Sequence, residues 1–358
     1  MKKGYLVLEN GKIFEGCFMG KVADVIAEIV FTTAMTGYLE TLTDKSYYGQ
    51  IIVQSFPLIG NYGVIPSDFE GEKIAASAYV ARSFTAEPSN FRSEGSLDGF
   101  FESAGKTGFS GIDTRALVKI IRERGVMNAM ITDDLSRVDF QKIKNYKIID
   151  AVKSVSCKKV TEYNKGGSYT VVLMDFGAKE NIKRNLVKRG CRVVTVPYDA
   201  TVEKILSYKP DGIMLSNGPG DPAENVGIIA TLRDLITKGV PIFGICLGHQ
   251  LLALANGFST TKLKYGHRGT NQPVKNLMTG RVYMSSQNHG YAVVRESIDP
   301  VIAEELFINV NDNTSEGIRY KNFNGFSVQF HPEAAGGPID TEFLFDEFLD
   351  RIKAKKKV

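Results

Sequence analysis

The sequence predicts an α/β protein. Its larger, C-terminal part reads as a doubly wound, mostly parallel sheet with a nucleophile elbow, preceded by a smaller mixed α/β domain. Three observations predict this. From Tyr169 onward, short apolar β runs alternate with helical stretches, which implies right-handed crossovers and a sheet covered on both faces. One of those runs, residues 241–245, leads straight into Cys246 and a helix. Residues 1 to about 150 differ in texture, with short β-type runs set between turn residues. A chain of 358 residues has room for two such domains.

In order, β runs are expected at residues 4–8, 27–32 and 50–55. A helix is expected at 113–124, with Asp113 or Thr114 as cap and Leu117, Ile120 and Ile121 at helical spacing, stopped by Gly125. Residues 151–168 show no apolar period and are dominated by Lys, Ser and Gly. They read as a linker between a domain of residues 1–150 and one of 169–358. Beyond it come a β run at 170–174, a helix at 178–188, a β run at 192–196, a short helix and a β run at 211–215. A helix at 223–238, the buried strand 241–245 and a helix at 247–256 ended by Gly257 follow. Further β runs are expected at 282–286, 306–310 and 326–330. The last element is an amphipathic helix at 341–353, with Phe343, Leu344, Phe345, Phe348 and Ile352 as its apolar positions.

Charge argues against a nucleic-acid binder. The net charge is +4, but residues 1–150 carry −2 and residues 166–352 carry −1, so the excess sits at 151–165 and in the last six residues. A nucleic-acid binder concentrates basic residues on a folded face. A membrane span needs about 20 predominantly apolar residues. The longest charge-free run, 239–261, is broken by Pro241, His249, Gln250, Asn256 and four glycines. The apolar stretch 5–8 stops at Glu9, short of a signal-peptide core of about 7–15 residues. A cytoplasmic protein without membrane or nucleic-acid partners is therefore expected. The four cysteines are scattered and His267 and His289 lack a ligand pattern, so neither a disulfide framework nor a metal is expected.

Four stretches carry chemistry. Gly244-Ile-Cys246-Leu-Gly248 has the Gly-x-nucleophile-x-Gly form, which holds a nucleophile on a strained strand-to-helix turn. A thiol at a helix N-terminus faces the positive end of the helix dipole, which favours thiolate. The next backbone N–H, that of Leu247, lies where an oxyanion forms. The same cysteine also reads as a buried core residue. At Phe330-His331-Pro-Glu333 a β run ends in a base with a carboxylate two residues on, as a thiol nucleophile requires, or else in a plain surface turn. Residues 216–222, Ser-Asn-Gly-Pro-Gly-Asp-Pro, follow a strand end, where a Gly-rich loop presents amides to a ligand or merely turns the chain. Residues 286–291, Ser-Gln-Asn-His-Gly-Tyr, read as a polar substrate loop or an ordinary turn. His249, on the helix after the elbow, reads as a packing residue.

Taken together, Gly244 to Gln250, Ser216 to Pro222 and His331-Pro-Glu333 resemble the class I glutamine amidotransferases in content and order. The N-terminal stretches 31–44, 46–47, 56–63 and 111–117 are similar to those of the carbamoyl phosphate synthetase small-subunit family. The resemblance implies a catalytic triad of Cys246, His331 and Glu333. It also implies glutamine and oxyanion contacts from Ser46, Gly218, Gly220, Leu247, Gln250, Asn288, Gly290 and Tyr291. Glutamine is then hydrolysed through a thioester, and ammonia passes through an internal channel to a large subunit that makes carbamoyl phosphate from bicarbonate and ATP, for arginine and pyrimidine synthesis. No cofactor is expected in this chain. ATP and a divalent metal belong to the large subunit, and no Gly-x-x-x-x-Gly-Lys-[Ser/Thr] phosphate loop occurs here. Lys45 stands where many family members have Pro, and Tyr291 where Phe is common. Two other readings are a non-catalytic scaffold or regulatory subunit, and an amidotransferase serving a different synthetase.

Overall fold

A computed structural model describes residues 2–356. The chain divides into two compact units, Met1–Ala151 and Val152–Val358.

In the first unit, strands β1 (Lys3–Leu8), β2 (Ile13–Gly20), β3 (Val25–Thr32), β4 (Gln50–Gln54), β6 (Ala78–Val80), β8 (Thr107–Ser110) and β9 (Met127–Thr132) close a barrel in the order β1-β2-β8-β6-β4-β3-β9. The short strands β5 (Leu58–Ile59) and β7 (Ser83–Phe84) pair with each other in parallel. Strand alternation sorts the side chains into two layers. Ile29, Ile51, Val53 and Val80 pack with Leu117 and Ile121 of helix α3 (Thr114–Arg124). Val30, Ile52 and Tyr79 face the other way, onto Leu39 and Leu42 of α1 (Tyr38–Thr43) and Phe101 of α2 (Leu97–Ser103). The α3 boundaries follow local chemistry. The Asp113 carboxylate accepts the Ala116 N–H at 2.9 Å, and Gly125 takes φ +100° at the other end. Helix α4 (Phe140–Asn145) completes the unit.

Residues 151–168 are not the linker expected. They hold helix α5 (Ala151–Val155) and strand β10 (Thr161–Tyr163), which pairs antiparallel with β12 (Cys191–Pro197) at the edge of the second unit's sheet. All three β10 residues are exposed. An edge strand wet on both faces needs no apolar period, so it reads as linker.

The second sheet is ten-stranded and mixed, in the order β10-β12-β11-β13-β14-β19-β18-β17-β15-β16. Strands β12, β11 (Tyr169–Asp175), β13 (Gly212–Leu215), β14 (Ile242–Ile245) and β19 (Gly325–Val328) run parallel. Helices α6 (Glu180–Lys188), α7 (Val202–Ser207), α8 (Val226–Ile236), α9 (Leu247–Ala255) and α10 (Phe343–Lys356) cover this half. Val172, Met174, Ile213 and Leu215 pack on the α8/α9 side, and Val171, Leu173, Met214 and Phe243 on the α6/α10 side. Parallel pairing stops at β19. Strands β15 (Thr260–Asn276), β16 (Val282–Val293), β17 (Ala303–Asn309) and β18 (Ser315–Tyr320) follow one another without crossover helices, so they pair antiparallel. The expectation of a mostly parallel sheet therefore holds for only half of it. Among the described residues no helix is long and apolar enough to cross a membrane.

The α10 face is anchored by Phe345, which meets Phe243 edge-on at 5.8 Å and lies under the Arg189 guanidinium at 5.4 Å. It is fully buried. Phe345→Ala is expected to destabilise the unit by about 3–5 kcal/mol, read as a lower urea midpoint at an unchanged slope.

Candidate active site

Ligands in open α/β sheets bind beyond the carboxyl ends of the strands, and this is where the candidate residues collect. Strand β14 runs into Cys246, which holds φ +52° and ψ −105°, and α9 starts at the next residue. A non-glycine residue in that conformation costs about 1–3 kcal/mol and marks functional sites. The neighbours make the turn possible. A Cβ on Gly244 would lie 2.9 Å from the Gly248 carbonyl oxygen, and one on Gly248 2.5 Å from that of Leu215. The Cys246 N–H donates to Val328 O at 2.8 Å, locking the elbow to β19.

His331 lies three residues past the end of β19, the strand beside β14. Its backbone N–H donates to Ser286 O at 2.9 Å. Its Nδ1 meets Glu333 Oε1 at 2.6 Å, with both side chains buried. Burial and Lys179 push the His331 pKa down, but the Glu333 carboxylate and the Cys246 sulfur outweigh them and raise it to about 9. Burial also opposes ionisation of Glu333, yet His331 and Lys179 hold it down at about 2. The base is thus kept charged by its orienting carboxylate. Lys179 and Asn181 were not singled out from the sequence. Lys179 Nζ sits 3.5 Å from Glu333 Oε1, and the Asn181 side-chain amide donates to the Glu333 carbonyl. Their place just after β11, the first strand of the second sheet's parallel half, was the available signal.

The 216–222 loop lies against the elbow. Gly248 N–H donates to Ser216 O at 3.0 Å, and a Cβ on Gly218 would be 2.3 Å from Phe176 O and 2.8 Å from Leu247 Cδ2. Gly220 has φ +91°. Only glycine fits at either position. Residues 286–291 are not the loop or turn expected: they run within β16. Asn288 O lies 3.8 Å from Cys246 Sγ. Gln250 Nε2, on α9, donates to Tyr291 O at 2.7 Å and to Gln329 Oε1 at 2.9 Å, tying helix and strand together beside Gly290. Cys246, Leu247, Gly218, Gln250, Asn288, Tyr291, His331 and Glu333 thus share one end of the sheet. Ser46 belongs to the first unit, where it is buried and its N–H donates to Asp44 Oδ1 at 2.9 Å. His249 packs as expected: its Nδ1 meets Ser327 Oγ at 2.8 Å, and burial lowers its pKa to about 3.

A nucleophile elbow with an adjacent His–Glu pair is the arrangement of an enzyme that transfers acyl groups through a thiol. Residues 172–351 match the family described as glutamine amidotransferase class-I. Residues 6–131 match the carbamoyl-phosphate synthase small chain, CPSase domain. The chain is 46% identical to the carbamoyl phosphate synthase small chain of Staphylococcus saprophyticus, over 99% of this chain and 98% of that one. It is 47% identical to that of Bacillus cereus, over 99% and 97%, and 45% identical to that of Listeria monocytogenes, over 100% and 99%. This chain belongs to the carbamoyl phosphate synthase small chain family.

Proposed function

We infer that this chain is the glutamine-hydrolysing subunit of a carbamoyl phosphate synthetase. It releases ammonia for a large subunit that uses ATP and bicarbonate, serving arginine and pyrimidine synthesis in the cytoplasm. The observation that carries the catalytic assignment is Cys246, held at φ +52° where β14 ends, with the buried 2.6 Å His331–Glu333 pair past the end of neighbouring β19.

Cys246 Sγ attacks the side-chain carboxamide carbon of glutamine. The tetrahedral oxyanion is met by the Leu247 N–H at the start of α9 and by the Gly218 amide, with Gly220 keeping the loop in shape. His331 holds the thiol proton and delivers it to the departing ammonia, leaving a thioester on Cys246. Water, deprotonated by His331, then releases glutamate. Glu333 orients the imidazole and stabilises its charged form. Gln250, Asn288, Gly290 and Tyr291 hold the glutamine head group, and residues 1–150 form the domain that meets the large subunit.

Glutamate release should be measured with this chain alone, then with the large subunit, ATP and bicarbonate. Strong stimulation in the full mixture is expected. Equal slow rates in both would overturn the assigned partnership, and no release from folded, reduced protein in either would overturn the glutaminase reading. Ser46→Arg is expected to raise the glutamine KM by roughly tenfold or more while ammonia-dependent synthesis stays intact. An unchanged KM would show that Ser46 has no part in glutamine binding.

A further inference from the structure

Two histidines without a ligand spacing in the sequence come together in the fold. His267 on β15 and His289 on β16 are direct cross-strand partners, and their rings meet nearly perpendicular at 4.9 Å. Glu316 on β18 joins them, fully buried. One donor atom from each of the three lies within 4.8 Å of the other two. Arg268 and Asn288, the next cross-strand pair, belong to the opposite face of the ladder.

Each imidazole is oriented by an oxygen on its outer nitrogen. His267 Nε2 meets Asp312 Oδ2 at 2.8 Å, and His289 Nδ1 meets Tyr291 O at 2.7 Å. A ring N–H donated outward to a carboxylate or carbonyl is the second-layer arrangement of metal-ligating histidines. It turns the remaining nitrogens inward. His267 Nδ1 is buried, forms no hydrogen bond, and lies 3.3 Å from Glu316 Oε1. Donor atoms around a tetrahedral zinc with bonds of about 2.0–2.1 Å are themselves roughly 3.3 Å apart.

Proton counting also points to a missing positive charge. With Nδ1–H given to Tyr291, a neutral His289 turns its Nε2 lone pair toward Gln287 Oε1 at 3.0 Å. Turning the Gln287 amide over moves the conflict to Glu316, because Gln287 Nε2 now donates to Glu316 Oε2 at 3.0 Å. One contact lacks a proton in either orientation while Glu316 is ionised. A cation at the centre satisfies both.

We propose that His267, His289 and Glu316 form a structural site for a divalent cation of the zinc class, with the Gln287 side-chain oxygen as the fourth ligand. The ion ties β15, β16 and β18 together on one face of the ladder, while the other face carries Asn288 beside Cys246. It takes the place of the positive charge that a protonated His267 would set against Glu316. The site needs nothing from the glutaminase chemistry, so it stands or falls separately.

The test uses the full chain carrying Cys246→Ser, so that the nucleophile thiol does not compete for metal. After chelator treatment it is titrated with Zn²⁺ against a chromophoric zinc indicator, and Tm is followed. The expected result is one Zn²⁺ per chain and a Tm rise of several degrees. Adding His267→Asn should abolish both effects. Asp312→Asn changes a partly exposed side chain outside the ligand set and should weaken binding roughly 10–100-fold in a folded protein. No saturable binding, or binding indifferent to both substitutions, overturns the proposal and leaves a protonated buried ion pair.

Discussion

Cys246→Ser is expected to lower glutamine hydrolysis by roughly 10⁴–10⁶-fold, while carbamoyl phosphate synthesis from added ammonia in the complex stays within about twofold of the parent. The size of the effect follows from the elbow. The substituted oxygen occupies the same strained turn, 2% exposed, beside the same histidine. Folding, glutamine contacts and the oxyanion donors are retained, and only the nucleophile changes. A hydroxyl holds its proton far more tightly than a thiol, so the imidazole cannot generate an equivalent nucleophile. Ammonia added directly bypasses the step. A companion variant isolates the backbone strain. Cys246→Gly should be inactive yet at least as stable as the parent, because glycine adopts φ +52° without the Cβ conflict that costs about 1–3 kcal/mol. Glutaminase activity above about a tenth of the parent's in Cys246→Ser would remove Cys246 as nucleophile. A large stability loss in Cys246→Gly would show that the turn is not strained.

The elbow was legible because its physics is local. An apolar strand, a nucleophile between two glycines and a helix follow one another within a few residues, and the strand must end where the helix begins. Helix α3 was legible for the same reason, through Asp113 and Gly125. The antiparallel half was not. Strand β15 spans 17 residues, with register shifts between Lys262 and His267 and between Gly269 and Gln272. Each bulge resets the two-residue period, so no β run emerges from that stretch. Strand β16 continues through Gln287, Asn288 and His289, all buried, with Gln287 donating to Glu316 on β18 and His289 held by Gln287 and Tyr291 of its own strand. From sequence they read as a loop, because polarity there reflects tertiary hydrogen bonding rather than exposure to water. The pairing of Lys179 with Glu333 and the His267–His289–Glu316 cluster are not legible for a similar reason. Their neighbours in space are 22 to 154 positions away in the chain, and no spacing rule covers such a pairing.

Glu333→Gln is expected to cut glutaminase kcat by roughly 10²–10⁴-fold and to move its pH dependence. The carboxylate is the attractive charge that keeps His331 protonated up to about pH 9 despite burial and the nearby lysine. Protonated His331 is the acid that ammonia needs on leaving, so the alkaline limb of kcat should lie near pH 9 in the parent. Removing the charge leaves burial and Lys179, which lower the histidine pKa, opposed by the Cys246 sulfur alone, so the limb should shift to lower pH. Stability carries the same signature. The folded pKa of His331 lies above its ordinary 6.5, so its contribution is full below pH 6.5 and is lost as pH rises through about 9. That of Glu333 lies below its ordinary 4.5, so its contribution is full above 4.5 and is lost as pH falls toward about 2. Urea unfolding of the parent should weaken in both windows. Glu333→Gln should lose the acid-side dependence and most of the alkaline one, with a lower plateau between, because the partly buried Lys179 and the buried His331 then lose the carboxylate charge. An alkaline limb that stays in place would mean that Glu333 orients the imidazole without setting its charge. An undiminished kcat would take Glu333 out of the triad altogether.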